Sequence, residues 1–192
     1  HENAETIFKH NPYVDEFVDS VDGEIFHDHY RVYDKDNTDI PLIKQILKFW
    51  QFEDEEMKDC QPEMYWSPEE ETLGNAIIKD RTDGGDFGCL LMSDRFGTQF
   101  GKHHGDTFTK DTKVMVDVLK KNPLPYFYFT HKPINDTPFK FINKALDLRN
   151  INLRIQLYIK SKAKLNVSNQ CGTSHLSVRY SECFESQRQY PI

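Results

Sequence analysis

Long apolar runs are absent from this sequence: none approaches the roughly 18 residues that a membrane-spanning helix needs. No basic and then apolar leader follows His1, and the four cysteines, Cys60, Cys89, Cys171 and Cys183, form no Cys-x-x-Cys pair. We therefore expect a protein of the reducing cytosol without a signal peptide, with peripheral attachment to the inner face of a membrane as an alternative.

Motifs for metal binding and for common hydrolytic or phosphate chemistry are also missing. The sequence has no Walker loop, no Gly-x-Ser-x-Gly elbow and no zinc-protease helix. The run "HDHY" places His27 and His29 on one face of an extended segment, but no third ligand has a fitting spacing. We expect no metal site and no cofactor.

The charge is distributed unevenly along the 192 residues, which allow one or two domains. Residues 1–89 carry 23 acidic against 8 basic side chains, and residues 90–192 carry 8 acidic against 16 basic ones. The net charge of -7 argues against a dedicated nucleic-acid-binding protein, which is normally basic overall. Two interpretations fit this charge pattern equally well. Either the basic second half faces an anion, or the two halves are simply differently solvated faces.

The order of helix and strand patterns predicts the fold class. Apolar runs typical of strands covered on both faces occur in "FGCLLMSD", "PYFYFT" and "LNVSN". Helical patterns occur in "AETIFKH", "DIPLIKQILKFWQF", "SPEEETLGNAIIKD" (with Ser67 as N-cap and Pro68 in the first position), "KDTKVMVDVLKKN", "TPFKFINKALDL" and "NLRIQLYIKSKAK", and a final helix is expected from Thr173 or Ser174. Alternation of strands and helices in the second half predicts an α/β fold with an open, Rossmann-like parallel sheet.

A polar segment, "NQCGTSH" (residues 169–175), separates the last predicted strand from the last predicted helix. Gly172 permits a tight turn and close approach of a ligand to the backbone. The backbone N–H groups that follow it, at Thr173, Ser174 and His175, would lie at a helix start and would attract phosphate. A strand-to-helix turn capped by Ser174 explains the same spacing, and Cys171 fits either small apolar packing or a reactive thiol.

The run "NVSNQCGTSHLSVRY" resembles the diphosphate-binding loop of the ADP-heptose:lipopolysaccharide heptosyltransferase family, Gly-x-Asp-Thr-Gly-x-x-His-Leu. The opening segment "AETIFKHNPYVDEFV" also resembles the "NPY-[IV]-DE" segment of that family's N-terminal domain. The family comprises metal-independent glycosyltransferases of the GT-B architecture, which has two Rossmann-like domains. The resemblance implies a partial N-terminal, acceptor-side domain at 1–65, a connector helix and linker at 66–84, and a nucleotide-sugar-binding domain at 85–192 that is truncated.

The resemblance also implies a set of donor-binding residues and a reaction. The diphosphate of the donor would contact Gln170, Cys171, Gly172, Thr173, Ser174 and His175, with Lys102 or its rival Arg95 from the loop "SDRFGTQFGKHH". Gln170 replaces the family's Asp, and only Asp136 is a loose counterpart of its ribose-binding Glu. The implied reaction transfers a sugar from a nucleotide-diphosphate donor to a glycan or lipid-linked acceptor, with the catalytic base unknown and expected outside this chain. A non-catalytic nucleotide- or anion-binding module of the same fold is the alternative.

Overall fold

A computed structural model describes residues 4–18, 63–91, 104–129, 133–142, 144–169 and 182–186. The chain divides into two compact units. One unit consists of His1–Asn11 together with Glu63–Ile192, and the other consists of Pro12–Pro62. Of the second unit only residues 12–18 are described, and they form neither helix nor strand. The predicted boundaries at residues 65 and 85 stay a prediction.

The first unit contains a five-stranded, fully parallel sheet with the strand order β3-β2-β1-β4-β5. The described elements in chain order are α1 (Ala4–Phe8), α2 (Pro68–Thr82), β1 (Gly88–Leu91), α3 (His104–Lys121), β2 (Tyr126–Tyr128), a 3₁₀ turn (Ile134–Asp136), β3 (Ala145–Asp147), α4 (Leu153–Lys162), β4 (Leu165–Asn169) and β5 (Glu182–Ser186). The predicted α/β class with a Rossmann-like parallel sheet is therefore confirmed.

Apolar side chains cover both faces of the sheet, as the nearly continuous apolar strands predict. Along β2, Tyr126 and Tyr128 join one core with Met115 and Leu119 of α3, whereas Phe127 joins a second core on the opposite face. The second core also contains Phe87, Cys89, Ile155 and Ile159, which tie the sheet to α4. Because successive side chains of a strand point to opposite faces, one short strand contributes to both layers.

Helix α2 begins and ends at signals that are visible in the sequence. The Ser67 hydroxyl accepts a hydrogen bond from the Glu70 N–H (3.2 Å), and the Glu70 carboxylate accepts one from the Ser67 N–H (2.9 Å). This reciprocal capping box satisfies two N–H groups at the helix start, and Pro68 fits the first helical position because it has no N–H. The predicted cap is confirmed.

Helices α2 and α4 pack closely because one of them lacks a side chain at the contact. A Cβ atom built on Gly74 would lie 2.2 Å from Cδ1 of Tyr158, which is far inside van der Waals contact. The Tyr158 ring also meets Trp66 edge-on, with ring centroids 5.4 Å apart, and its hydroxyl donates to Asn75 Oδ1 (3.1 Å). Gly74 is therefore a packing residue, although glycine is a poor residue for a helix interior.

A second close approach places Tyr126 against the start of β1. A Cβ atom built on Gly88 would lie 2.3 Å from Cε1 of Tyr126. The phenol hydroxyl of Tyr126 donates to the Asn122 carbonyl (2.7 Å), and burial of the side chain raises its pKa to about 12. Tyr126 is therefore a buried, neutral and hydrogen-bonded phenol at the amino end of β2.

Two segments differ from the prediction. The helix predicted in "TPFKFINKALDL" is wrong: the chain forms turns up to residue 141 and then strand β3, which pairs with β2 through the register Tyr126↔Ala145. Strand β5 was not predicted, because its sequence "ECFES" lacks the apolar run of the other strands. The helix predicted in "DIPLIKQILKFWQF" and the start of the final helix lie outside the described residues.

The remaining predicted elements of the described ranges are confirmed. The short opening helix is α1, and the three predicted strands are β1, β2 and β4. The helix predicted before Pro123 is α3, which begins earlier than the predicted pattern, and the helix predicted before the last strand is α4.

Candidate functional site

The strand order reverses direction between β1 and β4, and this reversal marks a candidate binding edge. From β1 the chain proceeds through β2 to β3 on one side, and it then returns to β4 on the other side of β1. Strands β1 and β4 are adjacent and parallel, with Leu91 opposite Ser168. In open α/β sheets, ligands bind at the carboxyl ends of the strands beside such a switch point.

The two loops predicted to hold the donor both leave the sheet at this edge. The loop that contains Arg95 and Lys102 follows Leu91, the last residue of β1, and the segment 170–175 follows Asn169, the last residue of β4. The strand ends from which the two loops depart are therefore neighbours, as the parallel register requires. The loop residues themselves, namely Arg95, Lys102, Gln170, Cys171, Gly172, Thr173, Ser174 and His175, lie outside the described residues, as do His27 and His29.

Asp136, the loose candidate for a ribose contact, occupies an exposed 3₁₀ turn after β2. Its N–H donates to the carbonyl of Pro133 (2.9 Å). The turn follows the carboxyl end of β2, which is the strand next to β1 on the side away from β4. A contact between Asp136 and a ribose stays a prediction.

The carboxyl end of β3 carries an ion pair that the sequence reading did not single out. Arg149 Nε lies 2.9 and 2.8 Å from the two carboxylate oxygens of Asp147, and Arg149 Nη2 lies 2.5 Å from Asp147 Oδ2. The hydrogen bonds from Arg149 lower the pKa of Asp147. Asp147 also lines a depression of about 300 Å³ beside Asp80 and Arg81 at the end of α2. Exposed pairs of this kind contribute little to stability.

A buried arginine on α4 holds several separate stretches of the unit. Arg154 is 3% exposed. Its guanidinium donates to both carboxylate oxygens of Glu70 (2.6 and 2.9 Å), to the Thr6 carbonyl (2.8 Å) and to the Tyr65 carbonyl. The chain leaves this unit after Asn11 and returns to it at Glu63, so one guanidinium binds the backbone near both passages.

The same cluster makes the stability of the fold decrease at acid pH. The hydrogen bond from Arg154 is the largest influence that lowers the pKa of Glu70, and a bond from the Ser67 N–H lowers it further. His10 Nε2 lies 4.0 Å from Glu70 Oε2 and adds a positive charge to the cluster when it is protonated. A carboxylate whose pKa is lowered by folding stabilises the fold above its unfolded pKa and loses that contribution as the pH falls.

We therefore expect the stability difference between the wild type and Glu70→Gln to depend on pH. It should be fully present above about pH 4.5, the ordinary value for a Glu carboxyl, and should shrink as the pH falls below it. Urea unfolding of both proteins at several pH values between 3 and 7 measures this difference. A difference that does not change with pH would contradict the lowered pKa.

The described residues contain neither a metal-binding cluster nor a membrane-spanning helix. No group of three or more His, Cys, Asp or Glu side chains there could hold a metal ion. No described helix has the length and apolar character to cross a membrane. The Cys89 thiol is buried in the sheet, and burial raises its pKa, so this cysteine is a packing residue.

Comparison with known proteins gives a weak structural likeness. No family model matches the chain, and no curated protein matches it. Two solved structures of POFUT1 in complex with GDP are similar, with TM-scores of 0.45 and 0.41 at 15% and 14% identity. Each covers 63% of this chain, whereas the chain covers 49% and 47% of theirs and so spans about half the length of those structures. Any assignment of function therefore depends on this chain's own residues.

Proposed function

We propose that this chain contains the donor-binding part of a glycosyltransferase of the GT-B type. The complete protein would transfer a sugar from a nucleotide-diphosphate donor to a glycan or lipid-linked acceptor. One observation carries the proposal: the segment that resembles the heptosyltransferase diphosphate loop follows the carboxyl end of β4, at the switch point of a parallel sheet.

The proposed contacts follow from the chemistry of a diphosphate. The N–H groups of Gly172, Thr173 and Ser174, with the Ser174 hydroxyl and His175, would donate hydrogen bonds to phosphate oxygens. Lys102 or Arg95, from the loop after the adjacent strand β1, would place a cation beside the same oxygens. Each charge-assisted hydrogen bond of this kind contributes about 1.5–3 kcal/mol, so two or three of them would anchor a nucleotide.

The chemistry of transfer requires two further functions. A general base must remove the proton from the acceptor hydroxyl, and fixed donors must stabilise the diphosphate as it leaves. The proposed loop would supply the second function without a metal. The base stays unassigned, so the reaction is proposed for the complete protein.

Titration calorimetry with ADP, UDP and GDP tests the proposed loop. We expect at least one of the three nucleotides to bind the wild type, and Gly172→Val to weaken that binding at least about tenfold, since loss of a single such hydrogen bond is worth that factor. Lys102→Gln should weaken binding by a smaller factor. The matched control, Lys113→Gln on the exposed surface of α3, should leave it unchanged.

The outcomes separate the proposed enzyme from its alternative. Equal affinities of the wild type and Gly172→Val would remove the loop from the site. A second outcome would favour a non-catalytic nucleotide-binding module. In that outcome binding depends on Gly172, but the full-length protein neither releases nor transfers sugar from any nucleotide sugar that carries the same base as the bound nucleotide.

A further inference from the structure

A groove lies at the opposite edge of the sheet from the proposed donor site. It has a volume of about 450 Å³ and lies between the end of α3, the start of β2 and the turn that precedes β3. We call it the amino-edge groove. Its apolar lining includes Leu124, Tyr126, Phe141 and Ile142. The charged residues of its lining are Lys120 and Lys144.

The groove is cationic and carries no acidic side chain among its lining residues. Lys120 and Lys144 are exposed, and neither ammonium group forms an ion pair within the described ranges of the chain. The Lys120 Nζ atom lies 5.6 Å from the centroid of the Phe141 ring, which holds that charge over the apolar surface. Two positive charges that have no acidic partner among the described residues, beside an apolar floor, are complementary to a molecule with an anionic head and an apolar body.

The position of the groove separates it from the nucleotide site. Tyr126 is the first residue of β2, and Lys144 immediately precedes β3, so the groove adjoins the amino ends of both strands. The proposed donor loops follow the carboxyl ends of β1 and β4. Because all strands are parallel, the two sites lie at opposite edges of one sheet.

We propose that the amino-edge groove binds a fatty carboxylate: one alkyl chain in the apolar floor, with its carboxylate between Lys120 and Lys144. The volume lies within the range of small-molecule sites, which are mostly apolar with a few polar groups that fix orientation. Burial of the alkyl chain supplies most of the affinity, and the lysines select the charged head.

The shape and chemistry of the groove disfavour other anionic partners. A free inorganic anion would meet only exposed lysines and would leave the apolar floor in water. A peptide would bring backbone N–H and C=O groups that an apolar floor cannot satisfy. A flat bilayer needs protruding apolar side chains, whereas Leu124, Phe141 and Ile142 are half-buried and line the groove.

Displacement of the fluorescent anion anilinonaphthalene sulfonate tests the proposal with the intact chain. We expect decanoate, below its micelle concentration, to displace the dye at lower concentrations than decanol, and inorganic phosphate not to displace it. The double variant Lys120→Gln/Lys144→Gln should raise the dissociation constant of decanoate by roughly 2- to 30-fold, the range expected for two exposed charge pairs, and leave that of decanol unchanged.

Two further variants locate the site. Lys113→Gln, about 10 Å from Lys120 along the same helix, should leave decanoate binding unchanged. Phe141→Ala should weaken decanoate and decanol alike, provided that its thermal unfolding shows a folded protein. The proposal is overturned if decanol binds as tightly as decanoate, if the double lysine variant binds decanoate normally, or if only anionic vesicles bind and decanoate does not.

Discussion

Replacement of Arg154 by methionine is expected to lower the free energy of unfolding by about 3–5 kcal/mol, the usual cost of removing one partner of a buried ion pair. Methionine retains an unbranched apolar side chain but no donor. The Glu70 carboxylate would lose its bidentate partner, and the carbonyls of Thr6 and Tyr65 would lose their hydrogen bonds to the guanidinium. Urea unfolding followed by circular dichroism measures the change.

Arg149 offers a matched control for the same substitution. It also forms a bidentate ion pair, with Asp147, but its side chain is 29% exposed and that of Asp147 is 48% exposed. Arg149→Met should therefore lower the free energy of unfolding much less than Arg154→Met does. Equal losses in the two variants would show that burial of the Arg154 cluster does not determine its contribution to stability.

Gly74→Ala is expected to lower the free energy of unfolding by about 1–3 kcal/mol, the range observed for overpacked sites. Helix propensity alone predicts the opposite sign, because alanine in a helix interior is about 1 kcal/mol more favourable than glycine. The new methyl group would lie 2.2 Å from the buried Tyr158 ring, so α2 and α4 would have to separate. Thermal and urea unfolding of the variant measure the net effect.

A double variant separates the contact from the propensity. In a Tyr158→Leu background the ring that meets residue 74 is absent, and Gly74→Ala should become neutral or stabilising. If Gly74→Ala stabilises the protein while Tyr158 is present, the close helix contact is wrong.

The elements that the sequence predicted correctly carry their signals locally. Ser67, Pro68 and Glu70 form the start of α2 within four residues, and the hydrogen bonds that result are those expected of a capping box. Strands β1, β2 and β4 read as short apolar runs because both faces of the sheet are covered. Alternation of such strands with helices was enough to predict a parallel sheet.

The elements that were missed or misread depend on distant partners. In "TPFKFINKALDL", Phe139, Phe141 and Ile142 are apolar at spacings that also suit a helix. Instead, Thr137 closes a short turn by accepting a bond from the Phe139 N–H, and residues 145–147 pair with β2. Strand β5 forms beside β4, although its own composition is polar. Pairing with a neighbouring strand outweighs local propensity in both cases.

For the candidate site, the sequence predicts only which segment forms it and where that segment lies along the chain. The glycine and hydroxyl residues of 170–175 suggest phosphate from their chemistry, and the parallel order of strands then puts the segment next to the loop after β1. Arg154 had no sequence signal, since nothing in "NLRIQLYIKSKAK" distinguishes a buried arginine from a solvated one. Its role depends on partners 84 and 148 residues away in the sequence.

Hydrogen exchange of the backbone amides, with and without the nucleoside diphosphate that binds best, tests the central claim most directly. The proposed function predicts slower exchange in the nucleotide complex at residues 172–175, and also in the loop 92–103 after β1. Segments at the opposite edge of the sheet, around Lys120 and Lys144, should exchange equally fast in both samples. Unchanged exchange at residues 172–175 in a protein saturated with nucleotide would contradict the proposed site.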